Sequence, residues 1–314
     1  MKKIIKYTVL NTLDFLNVSK FIFKNSITNK NLIFMFHDVS NNPKEFFIDN
    51  NLNHSSFNFE KQLNFINSNF KILNPNSLYS YDGSDPTAII SFDDGATSFY
   101  SNAAKILLDY NIPSIHFLNY GQINGKTFIP GLIGYIIKYE KEIAELISIT
   151  NIQNFNLSLL NKISKQKLIK IIKDSKKYYG SFMNHNQIKE LDDKNIFFWG
   201  NHLFRHLNAV NLKDNELISE YNKNDLFLKR LENYNSYFSY PFGQKNQSYN
   251  LRTNEIIKNL NTNAIFSANP ITFNSRYQDI FHRIGLNNNI TTNKLFIQHI
   301  VECKLRSLTH HLFN

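Results

Sequence analysis

The sequence contains a single cysteine, Cys303, so no disulfide can form within the chain. Disulfide-stapled scaffolds are thereby excluded, and the composition is compatible with a reducing compartment. No segment approaches the ~20 consecutive apolar residues that a bilayer-spanning helix needs. The N-terminus begins basic, but Lys6, Asn11 and Asp14 interrupt its apolar run and no small-residue cleavage site follows. That pattern predicts an amphipathic helical segment over 1–30, packed on the domain or lying on a membrane surface, rather than an export signal. Dense basic runs are absent too. The formal charge is +10, yet the lysines and arginines are dispersed and carry no nucleic-acid signature, so nucleic acid is not an expected partner. No internal repeat is present, and no Pro/Gly/Ser-rich linker divides the chain.

What remains is a globular chain of 314 residues with 42% hydrophobic and 19% charged residues, enough for one large domain. With 28 Phe and 16 Tyr, both the core and any binding cleft should be rich in aromatic rings. An unbroken apolar run at Leu32–Phe36 is typical of a strand covered on both faces, and Ala88–Phe92 reads as the next buried strand. Further strands are expected at Ser114–Leu118, Ile196–Trp199, Tyr237–Tyr240, Ala264–Ser267 and Arg283–Leu286, with helical spacing between them. Alternation of this kind predicts an α/β fold with parallel strands. The rhythm is broken between 121 and about 183 by Lys- and Ile-rich helical sequence, read as an insertion into one domain. A C-terminal helix is expected over 291–314.

Ionisable residues recur just after these strands, at the face where parallel barrels build their sites. Asp93-Asp94 follows the second apolar run; taken alone it reads as a turn. Adjacent carboxylates point in different directions, so one can bind a cation while the other stays free as a base. His202 and His206 are four apart, a spacing that places both on one face of a helical turn and lets them grip one metal ion. An Asp from another strand end would complete a site of two histidines and one carboxylate, with positions left open for water and substrate. Ser239-Tyr240-Pro241-Phe242-Gly243 stops a strand at proline, either as a simple tight turn or with a backbone amide aimed at a developing oxyanion.

In this order and spacing, Ser91-Phe92-Asp93-Asp94-Gly95, His202-Leu203-Phe204-Arg205-His206 and Tyr240-Pro241-Phe242-Gly243 resemble the polysaccharide deacetylase family, also called carbohydrate esterase family four. Met35-Phe36-His37-Asp38-Val39 is similar to the start of a circularly permuted branch of that family. The resemblance spans about 31–290. It implies a distorted (β/α) barrel of about seven parallel strands with a helical insertion. Asp94, His202 and His206 match the metal ligands, Asp93 the general base that activates the metal's water, and His37 the acid that protonates the leaving amine. Phe242 matches an oxyanion donor, with Tyr240 beside it. The implied cofactor is a divalent ion, zinc first, with cobalt, nickel or manganese as alternatives.

There are departures from the pattern. Leu203 replaces the usual Ser/Thr between the histidines, and a hydrogen bond that steadies a ligand from behind is expected to be missing. Tyr237, Phe238 and Ser239 stand where the family places an arginine that orients the catalytic aspartate; Arg283 is the candidate substitute, and is also placed among the substrate-side residues. His282 is a second candidate acid. Arg205 either meets an anionic substrate or faces solvent. His54, His116, His185, His299, His310 and His311 match no motif, and Trp199 is read as core or as a sugar-stacking ring.

The resemblance implies removal of an N-acetyl group from a sugar of a bacterial cell-surface glycan or of its lipid-linked precursor. The expected location is cytoplasmic, at the inner face of the membrane with peripheral contact to it. Alternatives are a deformylase of a lipid-linked amino sugar and a catalytically degenerate glycan-binding domain.

Overall fold

The apolar run after Lys30 becomes the central strand β1 (Asn31–Phe36) in the structure, a computed structural model that describes residues 18–28, 30–80, 85–270 and 279–312. Residues 1–17, which carry most of the expected N-terminal segment, lie outside the described residues. Two short strands follow, β2 (Asp38–Val39) and β3 (Asn53–His54), paired with each other. Then come β4 (Lys71–Ile72), β5 (Thr87–Asp94), β6 (Ser114–Leu118), β7 (Phe197–Asn201), β8 (Tyr234–Ser239), β9 (Ala264–Ser267), β10 (Phe281–His282) and β11 (Ile284–Gly285).

Every pairing is parallel, in the order β10-β9-β8-β7-β6-β5-β1-β11 with β4 beside β5. The two ends of this path are halves of one run: 281–282 pairs with β9 and 284–285 pairs with β1. The sheet therefore meets itself across Arg283, a distorted barrel of the expected size with helices around it. Alternation along the strands separates two cores. Ile33, Ile89, Ile115, Phe117 and Phe266 fill the interior, while Leu32, Phe34, Ile90 and Phe92 face the surrounding helices. By the same alternation Ser91 and Asp93 point inward, so Asp93 stands over the interior at the barrel's C-terminal mouth.

The helix Val18–Ile27 packs rather than standing free: Phe23 and Ile27 are buried, Phe23 against Phe65 at 6.0 Å between ring centroids, and Phe21 stays exposed. The helix Asn293–Leu312 runs past it, with Phe296 stacked on Phe65 at 4.0 Å. Among the described residues, no helix is long and apolar enough to cross a membrane.

Between β6 and β7 the chain leaves the barrel rhythm, as its Ile- and Lys-rich sequence suggests. Ile129–Tyr139 and Lys165–Tyr179 are its main helices, and they share a core of Leu132, Ile133, Ile136, Ile147 and Ile171. Gly131 permits their close approach, since a Cβ there would sit 2.4 Å from the Tyr179 ring. The other face of Ile129–Tyr139 is turned toward the barrel mouth through Phe128 and Pro130.

Two histidines without a motif prove to be core residues. His116 is sandwiched by Phe92 at 5.1 Å and Phe99 at 4.0 Å, with its Nε2 2.9 Å from Ser114 Oγ. His54 packs edge-on against Phe36 at 5.1 Å. Burial lowers the pKa of His54 to about 4 and of His116 to about 3. Each protonates near pH 6.5 in the unfolded chain, so between those values the unfolded state binds more protons and stability falls as pH falls. The expected loss is about 1.4 kcal/mol per pH unit per histidine once well below pH 6.5. Asp38, whose pKa burial raises to about 6, works in the opposite direction over part of that window, but as one group against four histidines, since His37 and His202 are lowered as well. Urea unfolding between pH 7 and pH 5 checks this: His116→Gln should flatten the decline, and an unaltered slope would contradict it.

Candidate metal centre and catalytic pocket

The mouth of the barrel collects the residues that end its strands. Asp94 terminates β5 with φ +71°, a left-handed backbone that turns its carboxylate away from the interior direction of Asp93. The histidine pair follows β7, but not on a helix. Residues 202–208 form an irregular loop in which Leu203 and His206 both adopt positive φ, +60° and +55°. The expectation of a helical turn is thus corrected: spacing four brings the imidazoles together through two left-handed residues, which reverse the chain instead of coiling it. Phe242, at +62°, adds a fourth such residue around one pocket. Backbone in sparsely populated conformations gathers where surrounding structure must hold functional groups in place.

Asp94, His202 and His206 converge, each offering one ligand atom within 4.8 Å of the others, all three buried. Asp94 Oδ1 lies 3.2 Å from His206 Nε2 and 3.7 Å from His202 Nε2. His202 Nδ1 donates to the carbonyl of Ser239 at 2.7 Å, an arrangement that leaves the Nε2 lone pair facing Asp94. Asp94 Oδ1 is buried with no hydrogen-bond partner among the described residues. A buried carboxylate oxygen in that state is costly unless a cation completes it, so this donor set fits a divalent ion. Burial raises the Asp94 pKa, but the two neighbouring imidazoles and His37 more than reverse this and hold it well below the usual carboxylate range. Burial also pushes His202 down, to about 4, keeping it neutral as a ligand must be. His206 Nδ1 is likewise buried without a partner, and Leu203 is wholly buried in an apolar cluster with Phe238 and Tyr240, so no side chain of its own steadies that ring. The Phe128 and Phe242 rings do so by edge contacts at 5.7 and 4.9 Å.

Asp93 is held differently. Arg283, fully buried at the seam of the barrel, grips both its oxygens at 2.7 Å. The same guanidinium reaches Ser239 Oγ at 2.7 Å and lies 5.0 Å from the Phe117 ring centroid. Burial of Asp93 would raise its pKa; the paired guanidinium outweighs this, and the carboxyl stays below its ordinary range. Arg283 therefore sits behind Asp93, inside the barrel, where a substitute for the orienting arginine would stand; it does not line the pocket, so its other expected placement, on the substrate side, is corrected. His37 Nε2 lies 3.9 Å from Asp93 Oδ2 on the pocket side. Burial lowers the His37 pKa, with Asp93 and Asp94 opposing that shift, so the resting ring is neutral.

A cavity of about 320 Å³ opens over this cluster. It is lined by His37, Asp93, Asp94, His202 and His206, by Phe242 and Gln244 from the turn after β8, and by Phe128, Ile152 and Gln153 from the insertion. Tyr240 lines it as well, but its hydroxyl donates to Asn254 at 2.8 Å and its ring stacks on Tyr249 at 4.9 Å. Its side chain is scaffold. The turn's own hydrogen bond runs from the Gly243 amide to the Pro241 carbonyl, 2.7 Å, and leaves the Phe242 amide out of it.

The remaining candidates lie elsewhere. His282 contacts Ser267 Oγ at 2.8 Å and does not line the cavity. Arg205 is bound to the buried Glu220 at 2.7 Å and faces a neighbouring cavity. Trp199 is fully buried and donates to Asp192 at 2.8 Å, so it is core and not a sugar platform. His185 approaches the Tyr120 hydroxyl at 3.2 Å, and His299 the Gly285 carbonyl at 3.0 Å. The side chains of His310 and His311 lie outside the described residues. Sequence reasoning missed Asn119 and Asn224. Asn119, directly after β6, donates to the carbonyls of His202 and Leu203, and Asn224 donates to Leu118 O and Asn201 Oδ1. Their only signal was a position just past a strand or on a helix of ordinary composition. The insertion's contribution to the pocket had none.

Residues 80–265 match the family model described as polysaccharide deacetylase. The chain belongs to the polysaccharide deacetylase family. The match begins just ahead of β5 and ends in β9, so β1 with His37 and the closing run with Arg283 fall outside it. Comparison with curated protein sequences found no match. Three solved structures illustrate the deacetylase's fold. IcaB from Ammonifex degensii aligns with TM-score 0.60 and 15% identity over 86% of this chain and 97% of that one. The Streptococcus pyogenes deacetylase PplD, in complex with acetate, gives 0.58 and 17% over 86% and 98%. The de-N-acetylase from Aggregatibacter actinomycetemcomitans gives 0.57 and 13% over 86% and 99%. At these identities the likeness is one of architecture. Family membership makes this polysaccharide deacetylase a hydrolase that acts on glycans.

Proposed function

We propose that the protein removes the N-acetyl group from an amino sugar of a bacterial cell-surface glycan, using a divalent ion held by Asp94, His202 and His206. The observation that carries the reading is the division of labour at one pocket. One carboxylate has a buried oxygen with no partner beside two imidazoles, and its sequence neighbour is fixed by a guanidinium with no imidazole closer than 3.9 Å. When bound, a divalent ion polarises the amide carbonyl and lowers the pKa of water from ~15.7 towards ~7, with zinc the first candidate and cobalt, nickel or manganese alternatives. Asp93 takes the proton of the attacking water at the oxygen that faces the pocket. The Phe242 amide donates to the oxygen of the acyl carbonyl as it becomes an oxyanion. An amide nitrogen leaves poorly until protonated, and His37 delivers that proton from Nε2. Because resting His37 is neutral, it must first receive the proton Asp93 has taken, across the short gap between them. A binding-only descendant would have no use for a carboxylate held by a buried arginine beside three converging ligands.

Metal content tests the reading. Elemental analysis of purified protein should give about one divalent ion per chain, and His202→Ala/His206→Ala should lose it. Protein that takes up no ion after incubation with zinc or cobalt would be a glycan-binding domain instead.

A further inference from the structure

The two histidines of the metal centre are separated by Leu203, Phe204 and Arg205, and no helix or strand holds them in register. Main-chain groups outside regular structure still need partners, and here they come from several neighbouring elements. The Leu203 amide donates to Asn201 Oδ1 at 3.0 Å, and the Leu203 carbonyl accepts from Asn119 at 2.8 Å. The Phe204 carbonyl accepts from the Gly121 amide at 2.8 Å, so close that a Cβ on Gly121 would lie 2.3 Å from that oxygen. The amides of Phe204 and Arg205 remain, and one residue takes both. Glu220, on the helix Asp214–Leu228, accepts from the Phe204 amide with its main-chain carbonyl at 3.1 Å. Its side-chain Oε2 accepts from the Arg205 amide at 2.9 Å.

The Glu220 side chain is fixed in its turn. It is buried, and its Oε1 accepts from Arg205 Nε at 2.8 Å and lies 2.7 Å from Nη2. One oxygen therefore meets the guanidinium and the other meets the main chain of the same residue, a charge-assisted clamp on the position just before His206. A ligand imidazole is ordinarily steadied by a hydrogen bond at the nitrogen away from the metal. His206 Nδ1 is buried with no such partner among the described residues, and Leu203 contributes no polar side chain. The ring must then be placed through its backbone. That backbone is left-handed at Leu203 and at His206, +60° and +55°, a conformation opposed by local preference and kept only where the surroundings impose it.

We propose that Glu220 is a positioning residue for the metal centre, setting its affinity for the ion through the main chain that carries His206, in place of a hydrogen bond to the ring. The inference rests on the metal-dependent reading of the pocket. Its test is the zinc dissociation constant of the full chain, stripped of metal and titrated with zinc against a competing chelator. Glu220→Met, similar in length but with no acceptor, should bind zinc about 10–100-fold more weakly than wild type, the usual cost of losing a group that orients a ligand. Glu220→Gln, whose side-chain carbonyl can still take the Arg205 amide, should recover most of that loss. Arg205→Met keeps the amide and should keep wild-type zinc affinity, although the unpaired Glu220 lowers its stability in urea. A residue that only stabilised the fold would shift urea unfolding and leave the zinc constant of the folded protein where it was. Gly121→Ala leaves Glu220 intact but displaces the Phe204 carbonyl, and it gives a second reading should Glu220→Met not fold; it too should weaken zinc binding by about 10–100-fold. Wild-type affinity in Glu220→Met or in Gly121→Ala would overturn the inference and leave the metal reading standing. Equal loss in Arg205→Met and Glu220→Met would overturn it as well, by assigning the effect to the ion pair. Wild-type protein that took up no zinc would sink the metal reading and the inference together.

Discussion

Asp93→Asn should lose turnover by about 10²–10⁴-fold, the usual contribution of a positioned proton-transfer group, while its metal content stays at the wild-type level. The asymmetry follows from geometry. Asp93 spends both oxygens on Arg283 and stands 3.9 Å from His202, whereas Asp94 Oδ1 is the oxygen nearest both imidazoles. An asparagine is nearly the same shape and leaves the three ligands untouched, but it loses the basicity and gives the buried Arg283 one acceptor in place of two, so some loss of stability accompanies the loss of turnover. Asp94→Asn should instead lose the ion together with activity. Elemental analysis beside an amine-release assay reads both, and equal metal loss in the two variants would contradict the separation of roles.

The second large effect concerns Arg283. Its guanidinium is fully buried, and replacement by methionine would leave the Asp93 carboxylate charged, desolvated and unpaired. Removing one partner of a buried pair typically costs about 3–5 kcal/mol, because the remaining charge has no compensation. Arg283→Met should therefore destabilise the fold by about that amount and also lower turnover, since Asp93 is no longer held toward the pocket. Adding Asp93→Asn to Arg283→Met should recover a substantial part of the lost stability, as the orphaned charge disappears. Urea unfolding of the two single variants and the double variant closes the cycle. Additive losses would mean that the observed bidentate contact carries little coupling energy. Loss of turnover without loss of stability would confine Arg283 to orienting its partner.

These two residues also show what could be read before any coordinates. The run Leu32–Phe36 that became β1 is unbroken in the sequence, and the one in β5 is interrupted only by Ser91; a parallel, doubly covered strand has few other ways to look. The carboxylate pair and the two histidines carried their chemistry in residue type and spacing, and they do converge. The reason offered for the histidine spacing was wrong: a helical turn was expected, and a loop with two left-handed residues is what brings the rings together. Periodicity cannot reveal such a loop, because positive φ at a leucine or a histidine is imposed by its surroundings and opposed by local preference.

Composition and pattern by themselves determined the class of fold, the strand ends where polar residues cluster, and the donor types available to a cation. Those are local properties, set by burial period and side-chain chemistry. The sequence offered Arg283 as the substitute for the orienting arginine; only the tertiary structure put it inside the barrel, 2.7 Å from both oxygens of an Asp93 that is 190 positions away along the chain. It alone decided that the insertion supplies one wall of the pocket through Phe128, Ile152 and Gln153. Contacts between residues so far apart depend on how a barrel closes and how an insertion packs, and neither leaves a mark on the neighbouring sequence.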